Sequence, residues 1–181
     1  KCRARKLDVH CETLADHQRR LPEDSRPYDV VIAFHCLEHV ADPSGLVSGM
    51  LALLASGGRL LISTPFSPMS FESLWFDPLN HPPHHMSRWN LRSYEALARR
   101  HGLSVSFRMP QADGVRRRVA NAFNFRLNGP RHFQSARRIF CRAMLRPHLL
   151  LAEIWRQWRR PRVNGNPAAD VVLAEFRRDA S

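Results

Sequence analysis

Two short stretches of this 181-residue chain hold five of its ten histidines, with a carboxylate among them. His35, Glu38 and His39 make up the first, and His81, His84 and His85 the second. Imidazole is the side chain that gains and loses a proton near neutral pH, so these histidines are candidates for a general base. A carboxylate among them can orient an imidazole or, with two histidines, hold a divalent ion. The spacing is not that of a recognised zinc motif, so no metal site is assigned. Structural roles compete with these. His39 could cap a helix starting near Asp42, Glu38 could bond loop amides, and His84 and His85 could hold a loop in shape.

The elements that would position these residues are legible around them. Tyr28 to Phe34 (YDVVIAF) has no clean alternation, as expected of a parallel strand buried on both faces. A helix should follow, capped by Asp42 with Pro43 in its first turn, and ended by Gly57-Gly58. Arg59 to Ser63 reads as a second buried strand, and the three together predict a right-handed βαβ unit. Residues 65–90 form a long loop rich in proline, histidine and aromatics, a length usually reserved for function or disorder. Asn90 should cap another helix, with Gly102 past its end and a strand from Leu103 to Met109. Leu7 to Cys11 suggests a short strand, residues 114–162 read as helical and divided at Pro147, and Ala169 to Phe176 reads as a last strand. The fold class is therefore α/β, with residues 1–113 and 163–181 as the core and 114–162 as a helical insert.

Four segments taken together, YDVVIAFHCLEHVADP, GGRLLISTP, HPPHHMSRW and HGLSV, resemble the class I S-adenosylmethionine-dependent methyltransferases. The resemblance is to the methyltransferases related to the ubiquinone-biosynthesis O-methyltransferases, and runs from about Leu7 to Met109 with the final strand added. It implies a partial Rossmann-like sheet, S-adenosylmethionine as cofactor and a small-molecule acceptor. The glycine-rich cofactor loop of that fold has no counterpart in the 181 residues. The chain also lacks an initiator Met, so an N-terminally truncated enzyme, inactive and unstable by itself, is the expectation. Carried over residue by residue, the resemblance implies Thr13 and Leu14 near the adenine, and Phe34 and His35 beneath the methionine part. His39 or His85 would act as base, with Glu38 orienting an imidazole or binding metal, as a divalent metal is associated with such positions in ubiquinone-type relatives. Trp75, His84 and Trp89 would contact the acceptor, although Trp75 and Trp89 could equally pack the loop.

Charge is unevenly placed. Residues 1–110 carry 13 basic and 11 acidic groups, whereas residues 111–181 carry 15 and 5. Residues 114–162 alone hold 13 arginines and one acid, Glu153. Arg138, Arg142 and Arg146 form a stripe, and beyond Pro147 an apolar face of Leu150, Leu151, Ile154, Trp155 and Trp158 lies beside Arg156, Arg159 and Arg160. A cap over the site is one reading of this insert, and peripheral contact with an anionic membrane through residues 134–160 is another. Nucleic-acid binding is disfavoured, because no aromatic-interleaved recognition motif is present. The four cysteines form no C-x-x-C pair, which fits reduced thiols in a cytoplasmic protein. The alternatives to an enzyme are a non-catalytic methyltransferase-like binding domain or a basic membrane- or nucleic-acid-binding module.

Overall fold

The computed structural model describes residues 5–6, 8–22, 25–26, 28–70, 72, 77–109, 115–128, 141, 144–160, 162–163 and 166–178. Thr13 opens α1 (Leu14–Arg20) with a reciprocal cap, its hydroxyl accepting from the Asp16 amide while the Asp16 carboxylate accepts from the Thr13 amide. β1 (Tyr28–Phe34) follows, then α2 (Pro43–Ala52), whose Asp42 cap accepts from the Gly45 amide at 2.9 Å. β2 runs from Leu54 to Pro65, well beyond the strand anticipated at 59–63. α3 (Leu91–Arg100) is capped by Asn90, and Gly102, at φ +63°, makes the left-handed turn into β3 (Leu103–Arg108). α4 (Val115–Asn128), α5 (Pro147–Trp158), the two-residue strands β4 (Arg162–Val163) and β5 (Asn166–Pro167), and β6 (Val171–Arg178) complete the described chain.

The main sheet has the order β1-β2-β6-β3. β1 and β2 are parallel and joined through α2, while β6 lies antiparallel between β2 and β3. One face of the sheet buries Ala33, Leu60, Ile62, Val172, Ala174 and Phe176 against Val47 and Met50 of α2 and Tyr94, Leu97 and Ala98 of α3. On the other face of β6, Glu175 is buried among three arginines, Arg59, Arg108 and Arg177, and the Arg177 guanidinium foremost holds its carboxyl below the usual range.

Two sequence expectations are corrected. Gly57 and Gly58 do not end the first long helix, which stops at Ala52. They sit inside β2, where the pairing register jumps from Tyr28↔Leu54 to Val30↔Arg59 and Gly57 takes φ +75°. A Cβ on Gly58 would come within 2.9 Å of the Ala55 carbonyl oxygen, so the pair serves a bulge and not a helix terminus. Of the strand expected from Leu7 to Cys11, Leu7 lies outside the described residues and Asp8 to Cys11 are irregular, with Val9 exposed. Among the described residues no strand pairs with it. In the insert, α4 and α5 pack on one another, residues 141 and 144–145 are also helical, and Pro147 is the first residue of α5, in keeping with the expected division there. Arg138 and Arg142 lie outside the described residues.

Candidate active site

The two histidine stretches meet at the carboxyl ends of β1 and β2. β1 delivers the chain to His35, whose amide donates to the Ser63 carbonyl at 2.9 Å and whose backbone takes the left-handed value φ +49°. A non-glycine residue held in that region is strained, and such strain collects at functional turns. The 3-10 turn Leu37–His39 follows, anchored by the fully buried Leu37. The Glu38 carbonyl accepts from the amides of Met86 at 2.7 Å and Ser87 at 3.2 Å. The ring of His39 donates from Nδ1 to the His84 carbonyl at 2.6 Å. A carbonyl can only accept, so the proton sits on Nδ1 and Nε2 is left to accept a proton or a ligand. The His39 and His85 rings lie edge to face, with centroids 4.8 Å apart.

Glu38 is the least conventional residue of this cluster. Its carboxylate is 2% exposed, yet neither oxygen accepts a hydrogen bond from a described residue. Oε1 lies 3.4 Å from His35 Nδ1 and 3.9 Å from His39 Nε2. Buried carboxylates are almost always hydrogen-bonded, so one without a partner has a reason. Glu38, His39 and His85 each offer one ligand atom, and these atoms lie within 4.8 Å of one another. The set can share a proton or hold a divalent cation. Burial, foremost, lowers the His85 pKa below the ordinary imidazole value, while the Glu38 charge opposes that shift. His85 is therefore a neutral imidazole at neutral pH.

Beside the cluster is a small, solvent-open cleft, lined by Glu38, His85, Phe66, Met69, Ser87 and Arg88 among others. Its walls are tied down from several directions. Arg88 pairs with Glu72, which in turn accepts from the Met69 amide. Ser67 donates its amide to the Trp89 carbonyl, and Phe66 donates to the Asp170 carbonyl. The Asp170 side chain accepts from the Ser70 amide and hydroxyl, each at 2.6 Å, and from Arg160 at 3.2 Å. The node joins the loop after β2 to a residue 100 positions along the chain. No spacing or pattern in the sequence indicated it, nor that Phe66, Met69 and Ser87 would line the cleft.

The structure brings His35, Glu38, His39 and His85 together, with the exposed His84 held beside them by its carbonyl. Phe34, half exposed, ends β1 next to His35. Thr13 and Leu14 lie elsewhere, in α1: the Thr13 hydroxyl is engaged in its cap, and Leu14 packs against Gly49 of α2. Trp89 is in the core against Tyr94, its indole N–H donating to the Ser87 hydroxyl at 2.9 Å. It supports the cleft from behind through Ser87. Trp75 lies outside the described residues.

Residues 4–106 match the family described as a methyltransferase domain. The chain belongs to that family. Similar to this methyltransferase domain are ubiquinone biosynthesis O-methyltransferases of Marinobacter nauticus, 36% identical over 53 residues, and of Vibrio atlanticus, 37% identical over 59 residues. These matches cover 29% and 33% of the present chain, and 22% and 24% of the relatives. The chain thus spans about a quarter or less of the length of those relatives. Its fold is the Rossmann-like fold of S-adenosylmethionine-dependent methyltransferases. A solved enzyme of that kind from Archaeoglobus fulgidus superposes with TM-score 0.51 over 95% of this chain and 68% of its own, at 14% identity. A second, from Thermotoga maritima, gives TM-score 0.51 over 98% and 67%, at 12% identity.

Proposed function

We propose that the chain carries the acceptor side of a methyl-transfer site that acts on a small-molecule or lipid-like acceptor. The observation that carries this reading is Glu38: a buried carboxylate without a hydrogen-bond partner among the described residues, between two imidazoles, beside a cleft. Residues 1–113 and 163–181 form the core in this reading, and 114–162 the insert.

The residues present fit one side of an S-adenosylmethionine site. Phe34 and His35 end β1 with exposed side chains, at the strand edge where ligands of open α/β sheets bind. Thr13 and Leu14 would lie towards the adenine. Bound there, the cofactor supplies a methyl group already activated on a sulfonium sulfur. The protein's own task is then alignment and removal of the acceptor proton. His85 lines the cleft and its pKa is lowered by burial, so it would be placed to take the hydroxyl proton of the acceptor. Glu38 stabilises the imidazolium that results. His39, fixed by the His84 carbonyl, holds the second imidazole of the cluster in place. His84 and Trp89 shape the acceptor side, Trp89 through Ser87.

The test is S-adenosylhomocysteine formation by the full-length enzyme, with phenols that do or do not carry an isoprenoid tail. His85→Ala should lower kcat/KM about 100-fold, within the range of a general base, and His39→Ala less. Unchanged turnover in both variants would overturn the assignment. The pH profile follows from the direction of the His85 shift. With its pKa below the ordinary value of 6.5, His85 stays unprotonated as the pH falls through 6.5. The plateau of kcat/KM should therefore extend to more acid pH than an unperturbed histidine allows. A fall centred at or above 6.5 would exclude His85.

A further inference from the structure

α5 packs the wrong way round for a helix of a water-soluble surface. Its buried residues are Glu153, fully enclosed, and Gln157. Leu149 and Leu150 are half-buried, whereas Leu151, Ile154, Trp155 and Trp158 are exposed, the two indoles by 57% and 68%. At 100° per residue these four fall on a single stripe. Met144 and Leu145, just before the helix, extend the exposed apolar surface. A contiguous apolar patch of this kind marks a contact surface.

The charges around the stripe are of one sign. Arg146 at the N-cap of α5, Arg159 at its C-cap and Arg162 in β4 are exposed, and the Arg159 guanidinium lies 4.8 Å from the centre of the Trp155 ring. Glu153, the one acidic residue of 114–162, is turned inward and paired with Arg156. The outer face is thus aromatic, aliphatic and cationic, with no carboxylate. α5 has 12 residues, about 18 Å of helix, which is too short to cross a bilayer. No helix among the described residues is long and apolar enough to do so.

We infer that this face of α5 docks on an anionic lipid surface, with the helix in the plane of the interface. Trp155 and Trp158 would sit at headgroup level, Leu151 and Ile154 would reach the acyl boundary, and the exposed arginines would meet lipid phosphates. Charge complementarity selects this partner over the others. A symmetric contact with a second copy would set these arginines against their own duplicates. A nucleic acid would satisfy the arginines and leave Leu151 and Ile154 in water. The inference does not rest on the methyl-transfer reading, since it uses no residue of the Glu38 cluster.

The experiment is co-sedimentation of the full chain with vesicles of phosphatidylcholine alone, or with about one-third phosphatidylglycerol, at low and high salt. Tryptophan emission is recorded alongside. The expected result is binding to the anionic vesicles only, weakened by salt and accompanied by a blue shift. Trp155→Ser combined with Trp158→Ser should lower it about tenfold or more, because both indoles leave water on docking. Both side chains are exposed, so the melt of this variant should be unchanged. Arg159→Gln with Arg162→Gln is an independent variant, expected to weaken binding and flatten its salt dependence. No binding to anionic vesicles at low salt, or binding indifferent to loss of the indoles, would overturn the proposal. So would a dimer that the indole substitutions convert to monomer, or an RNA oligonucleotide bound more tightly than the vesicles.

Discussion

α3 and α5 are helices of similar length on one chain, and they divide their residues in opposite ways. α3 buries Tyr94, Leu97 and Ala98 and turns Arg99 and Arg100 to water. α5 buries Glu153 and Gln157 and turns Leu151, Trp155 and Trp158 to water. The first division is what the hydrophobic effect dictates for a helix laid on a sheet. Tyr94 is wholly enclosed, with ring contacts to Trp89, Phe107 and Phe176 and a 2.7 Å hydrogen bond to the Thr64 hydroxyl. Burial pushes its phenol pKa well above the usual value. The sheet therefore accounts fully for α3. It does not account for α5, which among the described elements packs mainly on α4 and whose apolar stripe is exposed. An element shaped by the chain's own core is explained by that core, and one whose apolar face points outward is shaped by something the chain meets.

Substitutions at graded depths break or sharpen this contrast. The largest effect should come from Tyr94→Ala, which removes a fully buried ring and one of the two partners of the Thr64 hydroxyl. It should cost about 3–5 kcal/mol in urea unfolding. Glu153→Ala should cost about 2 kcal/mol, because Arg156 and Gln157 lose the carboxylate oxygen they both bond. A neutral result there would mean that the inward polar face of α5 is not a packed interface. Trp158→Ser should change stability by no more than about 0.5 kcal/mol, since the indole is exposed. A loss as large as that at Tyr94 would show α5 to be a core helix after all, and would dissolve the contrast.

Much of the core could be read from the chain. The β-branched run of β1 announces a strand by itself, and Asp42-Pro43 and Asn90 announce helix starts, because caps and propensities act over three or four residues. The extent of β2 was not legible. Leu54 to Gly58 carry no strand pattern and are drawn into the sheet by β1, with the two glycines absorbing the mismatch. The site divides in the same way. His35, Glu38, His39, His84 and His85 stood out by type, and the chain folds them into one place. Thr13, which only the family resemblance pointed to, has its hydroxyl engaged in a helix cap.

The sequence by itself determined the α/β class, most of the strands and helices, and the residues able to do acid–base chemistry. Each of these depends on neighbours a few positions away. The tertiary structure alone decided that β6 enters the sheet between β2 and β3, that the Glu38 carbonyl clasps the amides of Met86 and Ser87, and that Asp170 holds Ser70. It also decided which way α5 faces. Pairings across such separations follow from which apolar surfaces can be buried together. That is a property of the assembled layers, and no local window of sequence contains it.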